Sequence, residues 1–209
     1  MKKFIFFLYP ILLYANYSDS GPHEVVISVD NYTLSNGQSI EYTFFTPADI
    51  NHITQVTLVH AFSRNMDSYY ELAEHYASWG LGVITMNLFY SSIFDNDPFQ
   101  DAIDLREVSD YFSDGRSVIY VGHSAGAMRA IVAATEDTNA IAILGLDLTD
   151  GAYEDSGGEF LGLMHANMLS IPIWGLLGES SSCNAYGNGR NVYLEAENGN
   201  AISITEADH

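Results

Sequence analysis

Gly122-His123-Ser124-Ala125-Gly126 joins a β-rich run, residues 117–121, to a small-residue helical run, residues 128–134. A strand, a sharp turn and a helix in that order lift a serine hydroxyl clear of a parallel sheet, where it can attack a carbonyl. The flanking glycines have a steric task, because a side chain at Gly122 or Gly126 would collide with neighbouring backbone in so tight a turn. The pentapeptide alone is a weak signal, since the same letters also describe a turn whose serine merely caps a helix. Its weight comes from what lies on either side.

Upstream, residues 24–30 and 39–45 alternate across Asn36-Gly37, which predicts an antiparallel hairpin. After Pro47 the pattern changes to buried-type strands at 55–60 and 83–88, separated by an amphipathic helix at 69–79 that ends at Gly80. A turn-rich loop, 91–98, precedes a helix at 99–112 whose Ala102, Leu105, Val108, Tyr111 and Phe112 fall on one face. Downstream, strands are expected at 140–146, 171–177 and 201–205, and residues 159–169 form a lid or connecting helix. Strands separated by crossover helices predict an α/β fold: a doubly wound, mostly parallel sheet with helices on both faces, opened by the hairpin. The sequence shows no closing helix after the last strand, so a C-terminally truncated domain is expected.

With 209 residues, 47% of them apolar, the chain suits one domain. Lys2-Lys3 followed by a short apolar run to Ala15 reads as an export signal over residues 1–15, leaving 16–209 as the catalytic domain, secreted or periplasmic. That apolar run, interrupted by Pro10, is too short for a stable membrane span. Its removal leaves five arginines against 27 acidic residues, which argues against nucleic acid as a partner. Self-repulsion of that size fits a saline setting, and a more ordinary reading is that the acids keep an exported protein soluble. Cys183 is the only cysteine, so it is either a free thiol or pairs outside this sequence.

A serine needs a base to take its proton, and the base needs a carboxylate to fix its tautomer. In this architecture the groups follow in the order serine, acid, histidine at the carboxyl ends of strands. Only His165 and His209 follow Ser124, and His209 comes directly after the last strand. His123 packs or orients beside the nucleophile, and His60 shapes a loop. For the acid, Asp147 directly ends a strand, Asp150 lies three residues on, and Glu179 follows the next strand. Negative charge on the attacked oxygen calls for backbone donors. Ala125, at the positive end of the helix, is one, and Phe62 in the loop after His60 is the other, with Ala61 as alternate. Asp95 and Asp97 form a turn rather than a calcium site.

The elbow, the His60-Ala61-Phe62 loop, residues 80–86 and the closing Ala207-Asp208-His209 resemble the α/β-hydrolase superfamily, particularly its cutinase-like polyester hydrolase and chlorophyllase-like branch, over residues 39–209. The resemblance implies Ser124 as nucleophile, His209 as base, and Phe62 and Ala125 as oxyanion donors. Polyester hydrolases carry the acid after the later strand, where this chain has Ser180 and Ser181. Residues 145–151 are closer to the chlorophyllase pattern, which implies Asp147. Some relatives pair a cysteine matching Cys183 with one just past the catalytic histidine. The expectation is an exported serine hydrolase acting on a small-molecule or lipid-like ester through an acyl-enzyme, with no metal or cofactor implied. An acyltransferase or amidase with the same residues, or a non-catalytic binding protein on this scaffold, are the alternatives.

Overall fold

Leu34 through Gln38 close the first hairpin: the Leu34 N–H donates to the Gln38 carbonyl and the Gly37 N–H to the Leu34 carbonyl, each at 2.8 Å, with Gly37 at φ +86°. A positive φ is what the Asn36-Gly37 pair provides without strain. The hairpin strands β1 (Val25–Thr33) and β2 (Ser39–Pro47) pair antiparallel along their full length. The computed structural model describes residues 16–151 and 160–209. The expected export signal, 1–15, lies outside the described residues.

The other strands are β3 (Thr54–Val59), β4 (Gly82–Met86), β5 (Ser117–His123), β6 (Ala140–Leu146), β7 (Ile173–Leu177) and β8 (Gly199–Ser203). They make one sheet in the order β1-β2-β4-β3-β5-β6-β7-β8. Every pair along β4-β3-β5-β6-β7-β8 is parallel, and the two antiparallel pairings are β1 with β2 and β2 with β4. Both β3 and β4 are buried on both faces, as central parallel strands are, and β3 buries Gln55 and Thr57 among its apolar residues.

Helices α1 (Tyr70–Ser78), α2 (Pro98–Ser113), α3 (Ala125–Ala134), α4 (Leu161–Ala166) and α5 (Arg190–Glu195) supply the crossovers. Ala73 and Ala77 of α1 pack with Phe45, Val56, Leu58, Val83 and Val121 on one face of the sheet. Leu105 and Val108 of α2, Met128 and Ile131 of α3, Leu161 of α4 and Val192 of α5 form a larger core on the other. Tyr111 departs from the predicted helix face: it is 64% exposed and lies against Tyr32 and Phe112 instead of entering the core. The α5 helix was not anticipated, and Tyr193 from it fills the space over Gly145 and Gly175, where any Cβ would meet its ring or hydroxyl. Among the described residues no helix covers β6 to β8 on the α1 face, where Trp174 and Ile202 are half exposed.

Arg129 of α3 is wholly buried and its Nε donates to Asp101 Oδ2 of α2 at 2.7 Å. Its remaining donors reach the carbonyls of Ala125 and Tyr90 and Asn96 Oδ1, while Asp101 Oδ1 accepts the Tyr90 N–H. Burial pushes the Asp101 carboxyl up, and the guanidinium opposes that push. The pair clamps the helix after Ser124 to the loop at 90–96. Removing one partner of a buried pair leaves an uncompensated charge, at a cost of about 3–5 kcal/mol, whereas replacing both with apolar groups is often neutral. Arg129→Met is therefore expected to lower stability by that amount in urea unfolding, and Asp101→Leu combined with Arg129→Met to recover most of it. Gly126→Ala is expected to yield little folded protein, since a Cβ there would enter the His60 carbonyl.

Candidate active site

Ser124 sits between β5 and α3 with φ 53° and ψ −127°, a conformation costly for a residue with a side chain. Closeness of α3 to the sheet forces it. A Cβ on Gly122 would lie 2.5 Å from the Gly126 carbonyl oxygen and 2.6 Å from Ala127 Cα. The turn is held from outside as well, by the Ser124 N–H donating to the Leu146 carbonyl at 2.9 Å.

His209 reaches Ser124 from beyond β8. Its Nε2 lies 2.9 Å from Ser124 Oγ and its Nδ1 2.6 Å from Asp147 Oδ2. The arrangement reads in one direction: Nδ1–H donates to the carboxylate, which leaves Nε2 to accept the serine proton. The three side chains are close to fully buried, with His209 and Asp147 retaining 14% and 10% side-chain exposure. Thr149 Oγ1 stands 3.3 Å from Ser124 Oγ.

The structure separates the three candidate acids. Asp147 accepts the Gly178 N–H at 3.0 Å and the Asn184 side-chain amide at 3.1 Å, besides its bond to His209. Asp150 turns away, accepting the N–H groups of Gly151, Gly162 and Leu163, and so fastens the start of α4. Burial raises its carboxyl, against the pull of those amides. Glu179 Oε1 accepts the Glu206 N–H, and the Glu179 N–H donates to the Ala207 carbonyl, so it holds the turn that carries His209.

Two backbone amides remain. Ala125 is the first residue of α3, where N–H groups have no partner within the helix. Among the described residues neither its N–H nor that of Phe62 has a hydrogen-bond acceptor. The Phe62 loop is fixed on both sides, by the Ser63 N–H donating to the Ser91 carbonyl and by His60 behind it. His60 Nε2 accepts the Leu88 N–H at 3.1 Å, so its Nδ1 carries the proton shared with the Ala61 carbonyl. Burial lowers its pKa, consistent with a neutral loop-shaping ring.

His165 does not join this group. It lies in α4, Nδ1 against the Leu161 carbonyl and its ring beside Phe99, in an apolar cavity of about 170 Å³ between α2, α3 and α4. Asp97 caps α2 by accepting the N–H groups of Phe99 and Gln100, and among the described residues no cluster of three metal-binding side chains occurs. Cys183 is an exposed free thiol. Sequence reasoning missed Asn184 and Thr149, neither of which stands in a motif that names its partner. It also left His123 without one, although His123 Nδ1 lies 2.7 Å from the Tyr69 hydroxyl.

No protein-family model matches the chain, and no curated protein matches it in sequence. Solved structures do. The dienelactone hydrolase from Anabaena variabilis is similar at TM-score 0.71 and 16% identity, covering 90% of this chain and 89% of its own. The esterase domain of a Rhodothermus marinus protein is similar at 0.69 and 14%, covering 88% and 90%, and the α/β hydrolase GrgF from Penicillium at 0.71 and 11%, covering 88% and 91%. What is shared at these identities is architecture over nearly the whole of both chains: this protein has the α/β-hydrolase fold.

Proposed function

We propose that the protein is a serine hydrolase that cleaves carboxylic esters through an acyl-enzyme. The supporting observation is the single imidazole of His209 bonded at once to a serine on a strained turn and to a buried carboxylate. A carboxylate-oriented imidazole bonded to a serine hydroxyl is the arrangement that proton transfer to a base uses.

In the proposed reaction Ser124 Oγ attacks the ester carbonyl while its proton passes to His209 Nε2. The C–O π pair moves onto oxygen, and the amides of Phe62 and Ala125 stabilise that charge. Asp147 stabilises the imidazolium without taking its proton. Collapse breaks the ester C–O bond, and Nε2 gives its proton to the departing alcohol. Water then attacks the acyl-serine by the same route, returning acid and free enzyme. An uncharged or lipid-like ester is the substrate class we favour, because the acidic chain disfavours an anionic one. The leader-like residues 1–15 support export.

Hydrolysis of p-nitrophenyl butyrate and labelling by a fluorophosphonate are the measurements. Ser124→Ala is expected to abolish labelling and to lower kcat about 10⁴-fold or more, as is His209→Ala. Asp147→Asn is expected to cost about 10³–10⁴-fold by favouring the wrong tautomer. Labelling that survives in Ser124→Ala overturns the assignment. Asn184→Leu, which removes a donor from the Asp147 carboxylate, is expected to lower kcat about tenfold with KM little changed, the equivalent of one lost hydrogen bond.

A further inference from the structure

Behind His209 stands a second imidazole. The ring of His123 lies 4.9 Å from that of His209. Its Nδ1 is 2.7 Å from the Tyr69 hydroxyl, and that hydroxyl accepts the Ala61 N–H at 3.3 Å. Ala61 directly precedes Phe62. A chain of contacts thus runs from the loop that carries one unpaired amide, through a phenol, to the ring beside the base.

The proton positions in this chain follow from counting. A phenol has one proton. If His123 Nδ1 carried a hydrogen, Tyr69 Oη would accept from both Nδ1 and Ala61, and its own proton would have no acceptor among the described residues. With the phenol donating, each group is used once: Ala61 N–H to Tyr69 Oη, Tyr69 O–H to His123 Nδ1. His123 is then the neutral tautomer with its hydrogen on Nε2.

We infer that Tyr69 and His123 are a positioning pair, in which the tyrosine locks His123 as a neutral ring beside His209 and ties the base to the Phe62 loop. The inference rests on the serine-hydrolase reading for its effect on rate, and on geometry alone for the protonation state. Its purpose is electrostatic. A cation one ring away would oppose formation of the His209 imidazolium. The other groups around His123 are Arg64, Asp147 and Asp208, besides His209 and Tyr69. Burial, foremost, and the neighbouring His209 and Arg64 lower the His123 pKa, while Asp147 opposes them, and burial also keeps Tyr69 protonated.

Two measurements on the full chain test the pair. In long-range ¹H–¹⁵N correlation spectra, assigned with His123→Asn, His123 of the parent protein is expected to show hydrogen on Nε2 alone and to stay neutral through the range where a free imidazole titrates, about pH 6.5. Tyr69→Phe is expected to release it to titrate. An ordinary titration of His123 in the parent overturns the inference, whether or not the protein hydrolyses esters.

The second measurement is the pH dependence of kcat/KM with p-nitrophenyl butyrate. The parent's acid limb is expected to follow one proton, and that of Tyr69→Phe two, with activity at pH 6 falling about fourfold further than at pH 8. His123→Asn, whose Oδ1 can replace Nδ1 as acceptor and cannot be protonated, is expected to keep the one-proton limb. The double variant is expected to return to one proton. A merely structural role would lower activity equally at every pH and leave the double variant no better, and either result overturns the inference. Absence of Ser124-dependent turnover in the parent would instead sink the hydrolase reading and leave the spectra to decide the pair.

Discussion

The turn at 122–126 is the constraint from which the site follows. Helix α3 lies so close to the sheet that Cβ atoms are excluded at Gly122 and Gly126, and the price is a serine at φ 53°, ψ −127°. The same closeness sets the first amide of α3 beside the serine, at the helix end where partial positive charge accumulates. A raised serine hydroxyl and an unpaired amide beside it therefore come from one backbone feature. Neither depends on where a flexible side chain happens to rest.

Holding such a turn requires restraint from both sides. Leu146 supplies a carbonyl to the Ser124 N–H, and Arg129, one turn into α3, is pinned by Asp101, Tyr90 and Asn96. His209 is treated in the same way. Beyond β8 its turn is fixed by the Ile204 N–H donating to Leu177, by Glu179 and by the Asp147 contact, so three elements agree on one imidazole position. Positive φ at Asp147 and Glu206 marks where the backbone bends to achieve it. Strain of this kind survives only where the surroundings over-determine it.

Much of this was legible in the sequence, and the legible part has a common character. The parallel strands, the hairpin at Asn36-Gly37 and the elbow are local patterns of apolar period and turn chemistry, and each forms where expected, to within a few residues at most ends. The choice among Asp147, Asp150 and Glu179 was not local. All three follow strands, and only the fold reveals that Asp150 is consumed by the start of α4 and Glu179 by the turn at 206–207. Asn184, Tyr69 and Arg129 escaped for the same reason: each meets its partner across a long stretch of chain. Tyr111 shows the converse error, where helical period placed an aromatic in the core and the neighbouring tyrosine and phenylalanine held it at the surface.

The acidity of the chain takes on a different meaning in three dimensions. Asp101, Asp104, Asp137, Asp147 and Asp150 are all less than a tenth exposed. Asp137 accepts the Tyr120 hydroxyl and the Asn139 N–H; Asp101 and Asp150 accept main-chain amides. Exposed carboxylates repel one another and are screened by salt, but a buried one that closes a loop acts through hydrogen bonds that salt scarcely reaches. Part of the negative charge is thus a framework of acceptors for loop amides.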